Sequence, residues 1–239
     1  MRGKCEGLIA YKQSLLKVIV DRPELISVAR SSLLTHRLLL DSYVELRPDF
    51  KIALSPIKVE AWAPLVAKLA AEAAEIAGVG PMAAVAGAIA QAVMLDLIRG
   101  GAAVAVVENG GEVSALSDGK LTVAIYAGRS PLSMRLGFEL DVVDYPIGIA
   151  TSSATVSRSI NFGQADAAVA IADEASVADA AAKAICNATV GSDDESAVRK
   201  ALETADELRP YIRGALVIKG KHLGLTGKLP KLVRFEGST

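Results

Sequence analysis

The sequence predicts an α+β fold, a largely antiparallel sheet against which alanine-rich helices pack. Three observations carry this. Strand-like segments come in consecutive groups and helical ones in separate blocks, unlike the strict alternation of a doubly wound parallel fold. The apolar period changes from helical to strand-like after Gly100-Gly101. Finally, 51% of the 239 residues are hydrophobic but only 4% are aromatic, and 41 are alanine. Such a core closes through near approach of backbones rather than through large rings.

In chain order, Ser14 to Val20 reads as a strand, and Asp21-Arg22-Pro23 turns it into a helix. Leu25, Ile26, Val28, Ala29, Leu33, Leu34, Leu38 and Tyr43 recur at helical spacing, in one long helix or two shorter ones ending near Arg47-Pro48. A second helix is predicted from Pro64 to Ala77, with Lys68, Glu72 and Glu75 on one face. Gly78 to Pro81 stops it, and a third helix runs from Pro81 to about Ile98. Ile76 to Leu95 carries no charge and is about as long as a bilayer span, but Gly78-Val79-Gly80-Pro81 interrupts it, so a buried helix is expected.

Strands are then expected at Ala102 to Val107, Leu121 to Tyr126, Arg135 to Leu140 and Ala167 to Ala172. Helices return at Ser176 to Ala188 and Glu195 to Leu208, the second stopped at Arg209-Pro210. Ala215 to Lys219, His222 to Leu225 and Leu232 to Phe235 read as a terminal meander with Gly220, Gly224 and Gly227 at its turns. The length suits a single domain over 1–239, either undivided or built of two intertwined halves at about 1–100 and 101–239.

Charge and side-chain chemistry narrow the function. With 26 basic against 27 acidic residues, there is no electrostatic footprint for nucleic acid or an anionic membrane. Cys5, Cys186, His36 and His222 are scattered too widely for a structural zinc. Arg2, Lys4, Glu6, Lys12 and Lys17 interrupt the apolar runs an export signal needs, so a cytoplasmic chain with reduced thiols is expected. His36 and His222 read as packing residues, and Lys219, Lys221, Lys228, Lys231 and Arg234 as a solvated edge. An antiparallel sheet with a small-residue helix layer is also compatible with a homodimer.

Gly78-Val79-Gly80-Pro81-Met82-Ala83 matches a dinucleotide fingerprint in letters only, because a helix precedes it where the fingerprint needs a strand. Three other stretches concentrate glycine and polar residues. Glu108-Asn109-Gly110-Gly111-Glu112 ends a strand, and Asn-Gly is a strong turn signal. Gly148 to Thr155, including Thr151, Ser152 and Ser153, continues through Ser157 and Ser159 to Asp166. Hydroxyls beside backbone amides suit anion capture or a polar surface loop. In Ala178 to Asn187, Asp179 and Lys183 are four apart and share a helix face.

In this order the stretches resemble the ApbE-like superfamily and, within it, the short UPF0280 branch, from about Asp41 to Gly220. Val79 to Gly87, Glu108 to Glu112, Thr151 to Ser153 and Ala178 to Lys183 stand where the family's D-x-G-x-x-A-K-G, N-x-G-G-D, T-S-G and A-D-A-x-x-T segments fall. The resemblance implies a T-fold-like architecture and a pocket for FAD, FMN or another small phosphorylated ligand. Gly80, Gly87, Glu108, Asn109, Gly110, Gly111, Glu112, Thr151, Ser152, Ser153, Asp179 and Lys183 are its implied binding residues, with no catalytic residue assigned. The sequence departs from the family at Ala86 for its lysine, at Glu108 for its asparagine, and in having no His between Ser153 and Gly163. Lys183 stands where a magnesium ligand accompanies Asp179, and an ammonium cannot coordinate magnesium. The expectation is therefore that Lys183 supplants the metal, pairing with Asp179 and a ligand phosphate. The resemblance implies three activities: ligand binding without transfer, FMN transfer from FAD to a Ser or Thr of an acceptor protein, or an accessory role in sulfide assimilation toward homocysteine. Under the last, Cys186 would be a reactive thiol in place of a packed one.

Overall fold

The chain opens on a hairpin, β1 (Cys5–Tyr11) and β2 (Ser14–Val20), in a computed structural model that describes residues 3–156 and 160–235. Ser14, Leu16, Val18 and Val20 alternate inward along β2, the period-two pattern of a half-buried strand. Helices follow: α1 (Leu25–Leu46), the short α2 (Pro48–Ile52), α3 (Leu65–Ala77) and α4 (Val85–Arg99). Next come β3 (Ala105–Asn109), β4 (Glu112–Leu116), β5 (Leu121–Ala124), β6 (Leu136–Leu140), β7 (Ile147–Ser152) and β8 (Ala167–Ala172). Helices α5 (Ala175–Ala188) and α6 (Asp194–Glu207) precede β9 (Gly214–Lys219), β10 (His222–Gly227) and β11 (Lys231–Arg234).

Among the described residues the strands form two sheets, one of eight in the order β1-β2-β3-β4-β7-β8-β9-β10 and one of three in the order β11-β6-β5. Every pairing is antiparallel. The α+β class expected from the sequence is what the chain forms. Strand β8 shows how the layers separate. Ala168, Ala170 and Ala172 pack with Ala178, Ala181 and Ile185 of α5, whereas Val169 and Ile171 pack with Phe138 and Leu140 of the small sheet. Methyl-sized residues let helices lie close on one face, and larger ones fill the wider gap between the sheets.

Several boundaries differ from the sequence expectation. Strands β1, β4 and β7 were absent from it. Cys5–Tyr11 is an edge strand whose outward positions are Glu6, Leu8 and Ala10, with no polar–apolar alternation to mark it, Glu112–Leu116 was hidden behind the turn signal, and Ile147–Ser152 read as a hydroxyl-rich loop although it is almost wholly buried. The expected strand at Ala102 runs instead from Ala105 to Asn109, and the one at Leu121 stops at Ala124. The third expected helix starts as a 3-10 turn at Pro81–Ala84 before α4. Pro81–Arg99 is long and apolar enough to cross a membrane, but 67% of its most apolar stretch is buried in the protein. Ser157 and Ser159 lie outside the described residues.

His36 does more than pack. Its Nε2 meets Asp96 Oδ2 at 2.9 Å, Ser32 Oγ donates to the same oxygen at 2.7 Å, and Arg99 donates to Oδ1 at 3.0 Å. This polar clasp joins α1 to α4. After the end of α4, Asp21 accepts the N–H groups of Ala103 and Val104 at 3.1 and 3.2 Å, fixing the entry to β3.

Candidate functional site

The β3–β4 hairpin turns through Gly110 and Gly111 at φ +72° and +116°, conformations that a residue with a Cβ adopts only under strain. Asn109 pairs with Glu112 across the turn. Glu108 accepts the Gly111 N–H at 2.7 Å, and Asn109 Nδ2 donates to the Ala86 carbonyl at 3.0 Å, fastening the hairpin to the start of α4.

Beside it, β7 ends in Thr151 and Ser152, and Ser153 Oγ accepts the N–H groups of Thr155 and Val156 at 3.2 and 3.1 Å. The loop after β7 is tied to α5. Lys183 Nζ donates to the Ile160 carbonyl at 3.2 Å and to Asn161 Oδ1 at 2.7 Å, and Asn161 Nδ2 donates to the Ser153 carbonyl at 3.0 Å. One turn earlier on α5, Asp179 Oδ2 accepts the Gly87 N–H of α4 at 2.8 Å.

These segments close one end of a cavity of about 560 Å³ between the two sheets. Ile19, Val106 and Val113 of the large sheet form one wall, and Leu121, Val123 and Ala124 of the small sheet the other. Tyr126, Met134 and Val156 stand at the rim, all three with more than 40% of their surface exposed. Lys17 is the cation among the described lining residues.

Of the residues expected from the sequence, Glu108, Gly110, Gly111, Glu112, Thr151 and Ser153 line this slot. Asn109, Gly87, Asp179 and Lys183 do not line it but are tied to it through the bonds just described, and Ser152 donates from its Oγ to Asn161 Oδ1 at 3.3 Å. Gly80 belongs elsewhere: a Cβ there would collide with the Ala53 carbonyl, so its role is close packing. Lys17, the β5 wall, Tyr126 and Met134 escaped the sequence reading, because nothing local brings Leu121–Ala124 opposite β2, β3 and β4.

The electrostatics of the floor follow from burial. Desolvation, then the negative charges of Asp179 and Glu108, push the Glu112 carboxyl well above the usual carboxylate range. Desolvation raises Asp179 to about 7, against the stabilising Gly87 N–H and Lys183 charge. Burial lowers Lys183. These are the responses of ionisable groups in a medium that disfavours charge.

Magnesium does not fit these donors. Among the described residues no group of three or more His, Cys, Asp and Glu side chains is placed to hold a metal ion, and Asp179 already accepts from Gly87 with an ammonium one turn away. Lys183, expected to meet a ligand phosphate, donates to the Ile160 carbonyl and to Asn161 and is not among the described residues that line the slot. Cys186 is fully buried, and burial pushes its thiol up. As it stands it is a core residue, not a nucleophile.

Comparison with known proteins adds kinship. Residues 8–220 match a family described as "AbpE bacteria". The UPF0280 protein of Methanococcus vannielii is 40% identical over 230 residues, covering 95% of this chain and 92% of the relative. That of Methanothermobacter thermautotrophicus is 43% identical over 200 residues, covering 84% and 77%. Among solved structures, apo flavinyl transferase ApbE of Pseudomonas stutzeri aligns with a TM-score of 0.56 at 13% identity, over 95% of this chain and 94% of that one. The apbe protein of Thermotoga maritima aligns with a TM-score of 0.55 at 12% identity, over 93% and 96%. At such identities the likeness concerns the fold.

Proposed function

From its membership of the UPF0280 family, with an ApbE-like fold, we propose that the chain binds a flavin nucleotide, FMN or FAD, in the slot between its two sheets and does so without a transferase metal centre. The observation that carries this reading is the construction of the slot. Aliphatic walls from two sheets suit a flat ring, and one end brings the glycine turn of Gly110 and Gly111 beside the hydroxyl-bearing Thr151 and Ser153. Lys17, 53% exposed at the side chain and loosely paired with Glu6 at 3.2 Å, supplies positive charge for a phosphate. A bound flavin supplies a ring that accepts electrons. The chain's residues hold it, orient it and shield one end from water.

FMN transfer is the second reading, favoured by the fold likeness alone. Among the described residues no group of three or more His, Cys, Asp and Glu side chains is placed to hold the metal that would stabilise pyrophosphate cleavage.

Thermal unfolding with and without FMN or FAD tests the binding reading. Ligand at about 100 times its Kd stabilises the native state by about 2.7 kcal/mol, so a rise in Tm is expected, together with a flavin absorption band that co-elutes with the protein. A Tm unmoved by either flavin overturns it. Incubation with FAD, magnesium and acceptor polypeptides, followed by intact-mass measurement, separates transfer from binding.

A further inference from the structure

At the polar end of the slot one side chain stands apart. Glu112 is only 9% exposed, lines the cavity, and has its Oε2 3.7 Å from where a Gly110 Cβ would stand. Its carboxyl meets its own backbone N–H, and among the described residues no other residue donates a hydrogen bond to it, whereas Glu108 and Asp179 each accept an N–H from another residue. A buried carboxyl that lines an open cavity is placed to meet a ligand from outside the chain. Its surroundings decide what kind. Glu108 on β3 and Asp179 on α5 bring negative charge, Lys183 lies behind on α5, and Lys17 is across on β2. Burial and the charges of Asp179 and Glu108 push the Glu112 carboxyl well above the usual carboxylate range, against the charge of Lys183, and in its protonated form it offers one O–H donor beside one carbonyl acceptor. A phosphate placed here would face Glu108 at close range. A flat ring lying between the aliphatic walls would instead bring its edge to this group.

We propose that the Glu112 carboxyl reads the ligand, pairing through two hydrogen bonds with the edge of a flat heterocycle that presents an N–H beside a carbonyl. The Glu112 O–H donates to the ring carbonyl and the Glu112 carbonyl accepts the ring N–H. A flavin ring carries such an edge. This rests on the flavin-binding reading and adds the group that confers selectivity: a buried site built for a donor–acceptor pair rejects a ring that lacks it.

Quenching of flavin fluorescence by the full-length chain tests it, with riboflavin as the probe because it has no phosphate. Riboflavin should bind the native protein, and Glu112→Gln should bind within about threefold, since an amide also presents a donor beside an acceptor. Glu112→Ala should weaken binding at least tenfold. Riboflavin methylated on the imide nitrogen should lose at least tenfold on the native protein, which decides the matter even where the alanine variant fails to fold. Equal affinity of the native protein for riboflavin and its methylated form overturns the role of Glu112 and leaves flavin binding standing. Failure of the native protein to bind riboflavin, FMN or FAD overturns the flavin-binding reading itself, and this inference with it.

Discussion

Asp179 shows how much of the site's chemistry is set by burial alone. Its pKa rises from 3.8 in an unfolded chain to about 7 in the folded protein, so the folded state holds the proton more tightly. The favourable contribution of this group is therefore complete below pH 3.8 and is lost as the pH rises to about 7. Asp179→Asn keeps an acceptor for the Gly87 N–H and removes the titration. Unfolding free energies measured by denaturant between pH 4 and 8 should fall less steeply for the variant, and above pH 7 it should be the more stable protein by an amount on the order of a few kcal/mol. Equal slopes would mean that Asp179 stays ionised. In the sequence, Asp179 and Lys183 were legible as neighbours on one helix face. Their burial was not, because it depends on α4 and the loop after β7 arriving from distant parts of the chain. Cys186, between Ile185 and Asn187 on the same helix, reads from the sequence as a packed residue more readily than a reactive one, and the structure encloses it.

At the scale of elements, the alanine and glycine content acts through contact between helices. Gly87 lies where α4 meets α5, and a Cβ there would stand 2.3 Å from the Ala175 carbonyl and 2.8 Å from Asp179 Cβ. Neither atom lies at the end of a flexible side chain, so the helices must part. Gly87→Ala should therefore destabilise the protein by about 1–3 kcal/mol of overpacking, exceeding the roughly 1 kcal/mol of helix propensity that alanine brings to an exposed helix. Chemical denaturation checks it, and an alanine variant as stable as the native chain would show that the contact relaxes freely. The long helices were readable from their 3.6-residue period and their Gly or Pro stops. Strands β4 and β7 were not, because each carries turn-like residues yet is held in the sheet by neighbours on both sides. The β3–β4 hairpin was marked by Asn109-Gly110, although the strand after it was missed.

For the whole molecule, function depends on a gap between two sheets of different origin. The large sheet gathers eight strands from across the chain, and the small one combines β5 and β6 with the C-terminal β11. Between them the Val104, Phe138 and Ile171 core is closed, while the neighbouring slot stays open. Val123, half-buried in the slot wall, offers a test on this scale. Val123→Trp should fill the slot and abolish the Tm rise with FMN while leaving the circular dichroism spectrum unchanged. Retention of the full rise would place the flavin elsewhere.

Composition, periodicity and turn chemistry, all local properties, were enough to determine the α+β class, the helix positions, the glycine hairpin and the kinship of the motifs. Tertiary structure alone decided that Glu112 faces a cavity, that Lys183 is not among the described residues lining it, and that Leu121–Ala124 forms its second wall. Each of these depends on which distant segments exclude water from which side chains, and desolvation is a property of the packed assembly that no short stretch of sequence carries.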